Sequence, residues 1–147
     1  MNWDTYFHTI CKSVATKSPC LSRQIGAILV RDHSIVSTGY NGPPRGIPHC
    51  SPPTCPRRLK GYASGEGMQE CPAQHAEENA ISNAAKLGVP TNNSTLYMNS
   101  VISCNKCFGT LINAGIVELV VEEVTVYDKH SQFLIDNSNI KIRSFNL

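Results

Sequence analysis

Three observations predict a layered α/β fold. An amphipathic helix opens the chain, a hairpin of apolar strands follows, and from His75 onward helical and strand patterns alternate. Alternation of that kind builds βαβ units, in which strands lie side by side beneath crossover helices. The 147 residues suit one domain over 1–147, because a chain of this size buries a substantial core without splitting.

In the first element Trp3, Phe7, Ile10, Cys11 and Val14 recur at helical spacing, and Pro19 in "KSPC" stops the helix. "QIGAILVRD" and "SIVSTGY" then read as two strands joined by a short turn, so Gln24 to Tyr40 is expected to form a hairpin. From about 41 to 74 the character changes. This stretch is dense in Pro, Gly and Cys, shows no period, and is too long for a featureless loop in a compact domain. Something other than an apolar core must hold it. "AEENAISNAAKLG" is helical and ends at Gly88-Val89-Pro90, with Asn79 read as a helix-surface residue. "STLYMN" is a strand, "CNKCFGTLINAGI" a helix ending near Gly115, and "VELVVEEV" a strand. A short helix around "SQFLID" and a strand "IKIRSF" complete the series.

Thirteen basic and eleven acidic side chains are mixed along the chain for a formal charge of +2, with no basic run that would track a nucleic-acid backbone. Asp4, His8 and Lys12 interrupt the apolar residues of the N-terminus, unlike a secretion signal, and no stretch is long enough to span a membrane. Seven cysteines, an odd number, then read as reduced thiols for metal binding or catalysis, and a cytoplasmic location is expected.

Cys104 and Cys107 form a Cys-x-x-Cys at a helix start, where the helix dipole favours the thiolate that a metal requires. His75 opens the preceding helix. Together these three side chains make a set of the size that leaves a zinc ion one open position for water. Glu77, two residues from His75, does not share its helix face and is an awkward fourth ligand. It is well placed to move protons beside the metal. Taken singly, a helix-terminal His such as His75 is more often a cap or surface residue, and a lone Cys-x-x-Cys is also compatible with a redox-active or merely buried pair.

Cys20, Cys50, Cys55 and Cys71 lie in or near the Pro-rich stretch. A zinc site built from these four thiolates, with His49 as a substitute for one of them, would pin that stretch to the end of the first helix. Scattered free thiols are the alternative.

The order His75-Ala76-Glu77, then Cys104-x-x-Cys107, is the signature of zinc-dependent nucleobase deaminases. The family pattern has Pro before the first Cys, where this chain has Ser103. "SRQIGAILV", "GYNGPPRGIPHC" and "CPAQHAEENAI" together resemble the deoxycytidylate (dCMP) deaminases of that superfamily, from about Trp3 to Lys129, with the cysteine-bearing insertion as the most specific part. The resemblance implies a three-layer cytidine-deaminase-like fold with a mixed five-stranded sheet flanked by helices. It also implies hexameric assembly and hydrolysis of dCMP to dUMP and ammonia, supplying dUMP for thymidylate synthesis.

Carried over, His75, Cys104 and Cys107 would hold a catalytic Zn²⁺ and Glu77 would be the proton carrier. Ala76 would offer its backbone N–H to the pyrimidine oxygen, and Asn41 would contact the sugar. Arg23, Tyr127 and Lys129 are candidates for the 5′-phosphate, although Asn41-Gly42 is also a common turn dipeptide. Some members also accept dCTP, and dCTP and dTTP act on many as activator and inhibitor. The rival readings are another nucleotide or tRNA-base deaminase, or a zinc-stabilised binding module without turnover.

Overall fold

The computed structural model describes residues 1–49, 55–63 and 66–147. Helix α1 (Trp3–Ala15) precedes strands β1 (Gly26–Arg31) and β2 (Ser34–Tyr40). A short helix α2 (Pro56–Leu59) and a 3₁₀ turn at Met68–Glu70 are the regular structure described within the Pro-rich stretch. Then come α3 (Ala76–Leu87), β3 (Thr95–Met98), α4 (Asn105–Asn113), β4 (Glu118–Val121), α5 (Gln132–Asn137) and β5 (Lys141–Ser144).

The strands form one mixed sheet in the order β2-β1-β3-β4-β5. β1 runs antiparallel to both β2 and β3, whereas β3, β4 and β5 are mutually parallel. The parallel half is where α4 and α5 act as crossovers, as the alternating pattern predicts. The hairpin turn between β1 and β2 places both Asp32 and His33 at positive φ, 53° and 59°. That matches the twist of a two-residue hairpin without the usual glycine.

Two apolar clusters cover the two faces of the sheet. Phe7 and Cys11 of α1 pack on Ile28, Val30, Tyr97 and Val120. On the opposite face Ala76, Ala80 and Ala84 of α3, with Phe108 and Leu111 of α4, pack on Ala27, Leu29, Leu96, Leu119 and Val121. This is the expected three-layer arrangement. β1 is buried on both faces, which is why "GAILV" is an unbroken apolar run rather than an alternating one. Two glycines set the spacing of the layers. A Cβ at Gly26 would collide with the Cys11 carbonyl and Ala15 nitrogen of α1, and one at Gly39 with the backbone of Ala76 and Ala80 in α3.

No helix among the described residues is long and apolar enough to cross a membrane.

Candidate active site

The site gathers at the N-terminal ends of α3 and α4, side by side against the sheet. His75 is the N-cap of α3 and Cys104 the N-cap of α4, with Cys107 in the first turn of α4. Each cap has a local reason. The His75 N–H donates to Glu78 Oε1 at 2.9 Å, and the Cys104 carbonyl accepts from the Phe108 N–H at 2.8 Å. Asp128 reaches back to the same place, its Oδ2 accepting from the Asn105 N–H at 2.9 Å in the first turn of α4.

His75 Nδ1 lies 3.2 Å from Cys107 Sγ and 3.5 Å from Cys104 Sγ. These three form the one group of at least three potential metal ligands among the described residues, all within 4.8 Å of one another. Zinc bonds of about 2.3 Å to sulfur and 2.0–2.1 Å to nitrogen at tetrahedral angles put N and S about 3.5 Å apart, so the residues present fit a zinc ion. Electrostatics prepare the site. Hydrogen bonding from Cys107, then from His75, pulls the Cys104 thiol down to about 4, and its partnership with Cys104 lifts His75 to about 9. Cys107 is pushed up by its bond to Cys104 and by burial. A cation entering this cluster displaces the shared protons.

Glu77 is 5% exposed and turned into the same cavity. Burial raises its carboxyl, opposed by a hydrogen bond from Ser103 Oγ to Glu77 Oε2 at 2.6 Å. A carboxylate so desolvated next to a metal-ligand cluster is suited to take and return protons. The cavity has a volume of about 240 Å³ and reaches from exposed Arg23 and Tyr127 to buried Glu77, with Asn41 and Ala76 along it.

Lys129, exposed in the 3₁₀ turn at Lys129–Ser131, does not line this cavity. Its near neighbour in the chain, Tyr127, does. Asn41 is buried and uses both ends of its amide on the backbone: Oδ1 accepts from the Ile25 N–H and Nδ2 donates to the Arg23 carbonyl, both at 2.8 Å. It therefore braces the segment that carries Arg23. Asn79 is half-buried rather than a plain surface residue; its Nδ2 donates to the Tyr40 carbonyl at 2.7 Å and ties α3 to the end of β2.

Of the second cysteine set, Cys20, Cys55 and Cys71 are free thiols. None belongs to a ligand group among the described residues, although Cys20 and Cys71 both line the cavity. Cys50 lies outside the described residues, and His49 is exposed.

Arg57, with no role in the sequence reading, also lines the cavity. It is 6% exposed and pairs with no carboxylate among the described residues. Instead Nε donates to the Glu66 carbonyl at 2.6 Å, Nη2 to the Ala63 carbonyl at 2.8 Å and Nη1 to Ser22 Oγ at 3.4 Å. Its only signal in the sequence is an arginine within a stretch lacking apolar pattern, which is too weak to single it out.

Residues 1–123 match the family described as the cytidine and deoxycytidylate deaminase zinc-binding region. The chain belongs to this family. It is 33% identical over 144 residues to the deoxycytidylate deaminase of Schizosaccharomyces pombe, covering 98% of this chain and 44% of that protein. It is 36% identical over 135 residues to the deoxycytidylate deaminase of Mycobacterium phage D29, covering 88% of this chain and 97% of the phage protein. The fold matches a dCMP deaminase of cyanophage S-TIM5 in complex with dCMP and dUMP, with a TM-score of 0.71 and 20% identity over 95% of this chain and 94% of that one. The chain thus spans less than half of the yeast relative and nearly all of these two phage proteins.

Proposed function

We propose that this chain hydrolyses dCMP to dUMP and ammonia. The observation that carries the reading is the buried Glu77 carboxylate beside the His75, Cys104 and Cys107 group, in a cavity that Arg23 and Arg57 also line. A zinc ion held by His75, Cys104 and Cys107 would supply Lewis acidity toward water. Everything else falls to the chain. Glu77 takes a proton from the attacking water as the C4–O bond forms, passes a proton to ring N3, and helps protonate the exocyclic nitrogen as the C4–N bond breaks. The Ala76 N–H, in the first turn of α3 with no helical acceptor, is free for the pyrimidine oxygen. Two arginines offer fixed donors and charge to a 5′-phosphate dianion, with Tyr127 beside them, and Asn41 keeps the Arg23 segment in place.

Ammonia release measured in parallel on dCMP, dCTP, deoxycytidine and cytidine tests this. Release confined to the phosphorylated deoxynucleotides is the expected result. Release from the nucleosides alone, or from none, overturns it, and dCTP turnover beside dCMP would make the enzyme bifunctional.

A structural zinc on Cys20, Cys50, Cys55 and Cys71, with His49 as substitute, is part of the same reading. It is supported by free thiols at Cys55 and Cys71 within the Pro-rich stretch and at Cys20 between α1 and β1. Metal analysis of the reduced protein distinguishes about two zincs per chain from one. Self-assembly into a hexamer is supported by exposed Trp3, Tyr6 and Ile35 on α1 and β2, and dCTP and dTTP regulation by the family resemblance.

A further inference from the structure

Ser103 directly precedes Cys104, where the zinc-deaminase signature has proline, and the difference has a physical consequence. Its hydroxyl is buried, with the residue 3% exposed, and donates to Glu77 Oε2 at 2.6 Å. That is a short O–H···O hydrogen bond. Proline has no side-chain donor at all.

The donor is itself held from both sides. Before it, the Ile102 N–H donates to the Thr125 carbonyl at 3.2 Å, and Ile102 forms a parallel bridge with Val126. After it, Cys104 caps α4, whose first turn is anchored by Asp128. The acceptor is held by α3, whose Ala76 and Ala80 sit against Gly39 of the sheet. This short hydrogen bond therefore links two rigid elements from distant parts of the chain. A glutamate side chain otherwise has three rotatable bonds with which to wander from the reacting atoms.

We propose that Ser103 is a positioning residue that fixes the Glu77 carboxylate toward the substrate. This rests on the deaminase reading above. With Oε2 committed to Ser103, the carboxylate plane is set and the other oxygen is directed into the cavity. Losing the bond lets the carboxylate turn, which slows the proton transfers and leaves binding of the nucleotide untouched.

The test compares Ser103→Ala with the near-isosteric pair Ser103→Thr and Ser103→Val, reading kcat, KM and zinc content for each. Supporting mutations around metal sites commonly cost 10–100-fold, so kcat of the Ala and Val variants is expected to fall by about tenfold or more. KM for dCMP and zinc per chain should stay within about twofold, and Thr should restore most of kcat. Should Ala fail to fold, the Thr and Val pair still isolates the hydroxyl at constant volume. An Ala or Val variant with parental kcat overturns the proposal, as does a loss explained wholly by missing zinc or raised KM. A parent chain that releases no ammonia from dCMP overturns the deaminase reading first, and this one with it, before any variant is made.

Discussion

At the residue scale, the proposed chemistry is concentrated in one carboxylate, Glu77. Replacing Glu77 by Gln keeps shape and removes proton transfer, so dCMP turnover should fall by about 10²–10⁴-fold while zinc per chain and the far-ultraviolet dichroism stay unchanged. Unchanged turnover would instead favour a zinc-stabilised binding module. Arg57 has a different signature. Charge-assisted hydrogen bonds contribute about 1.5–3 kcal/mol, so Arg57→Gln should raise KM for dCMP by at least about tenfold and leave any deoxycytidine turnover nearly constant. An equal effect on both substrates would mean that Arg57 serves only the Glu66 and Ala63 carbonyls it already binds. The spacing of His75, Cys104 and Cys107 was legible because ligand type and helix starts are local properties. The Ser103 hydroxyl was legible only as a missing proline, since its acceptor lies 26 residues away on another helix.

At the element scale, α3 delivers His75, Ala76 and Glu77 to the site, and its height above the sheet is set by small residues. Gly39 on β2 faces the backbone of Ala76 and Ala80, and Ser37 Oγ donates to the Ala80 carbonyl at 2.7 Å. Gly39→Val should therefore push α3 away, lowering stability by about 1–3 kcal/mol in denaturant unfolding, with turnover lost before the fold. A variant of full activity and stability would show that α3 tolerates displacement. Helix and strand periods announced nearly every element here. The Pro-rich stretch announced only its lack of period, and α2 and the turn at Met68–Glu70 are too short to produce one. Asn79 looked like surface because a helical pattern says nothing about which strand end lies beside it, and the Tyr40 carbonyl decided the matter.

At the scale of the whole molecule, the first helix is fastened to the last strand. Asp4 accepts from Arg143 Nη1 at 2.6 Å and Nη2 at 3.0 Å, and from the Asn146 N–H at 2.8 Å, while Arg143 Nε also donates to Glu118 at 3.1 Å. The Arg143 hydrogen bonds hold the Asp4 carboxyl below its ordinary value. A depressed carboxyl adds stability that is fully present above its unfolded value of about 3.9 and is lost as pH falls through the lower folded value. Asp4→Asn should thus cost about 1–3 kcal/mol at pH 7, and the gap to the parent should close in unfolding measured below about pH 4. A gap that persists unchanged into acid would assign the effect to packing rather than charge.

By itself the sequence determined the kinds and order of the elements, the His75, Cys104 and Cys107 group and the family, because periodicity, capping and ligand spacing are written within short stretches. Only the tertiary structure decided that Ser103 bonds Glu77, that buried Arg57 lines the cavity, that Asn41 braces the Arg23 segment, and that Lys129 does not line the cavity. Each of these is a contact between segments distant in the chain, and such contacts are fixed by how the layers pack rather than by any local pattern.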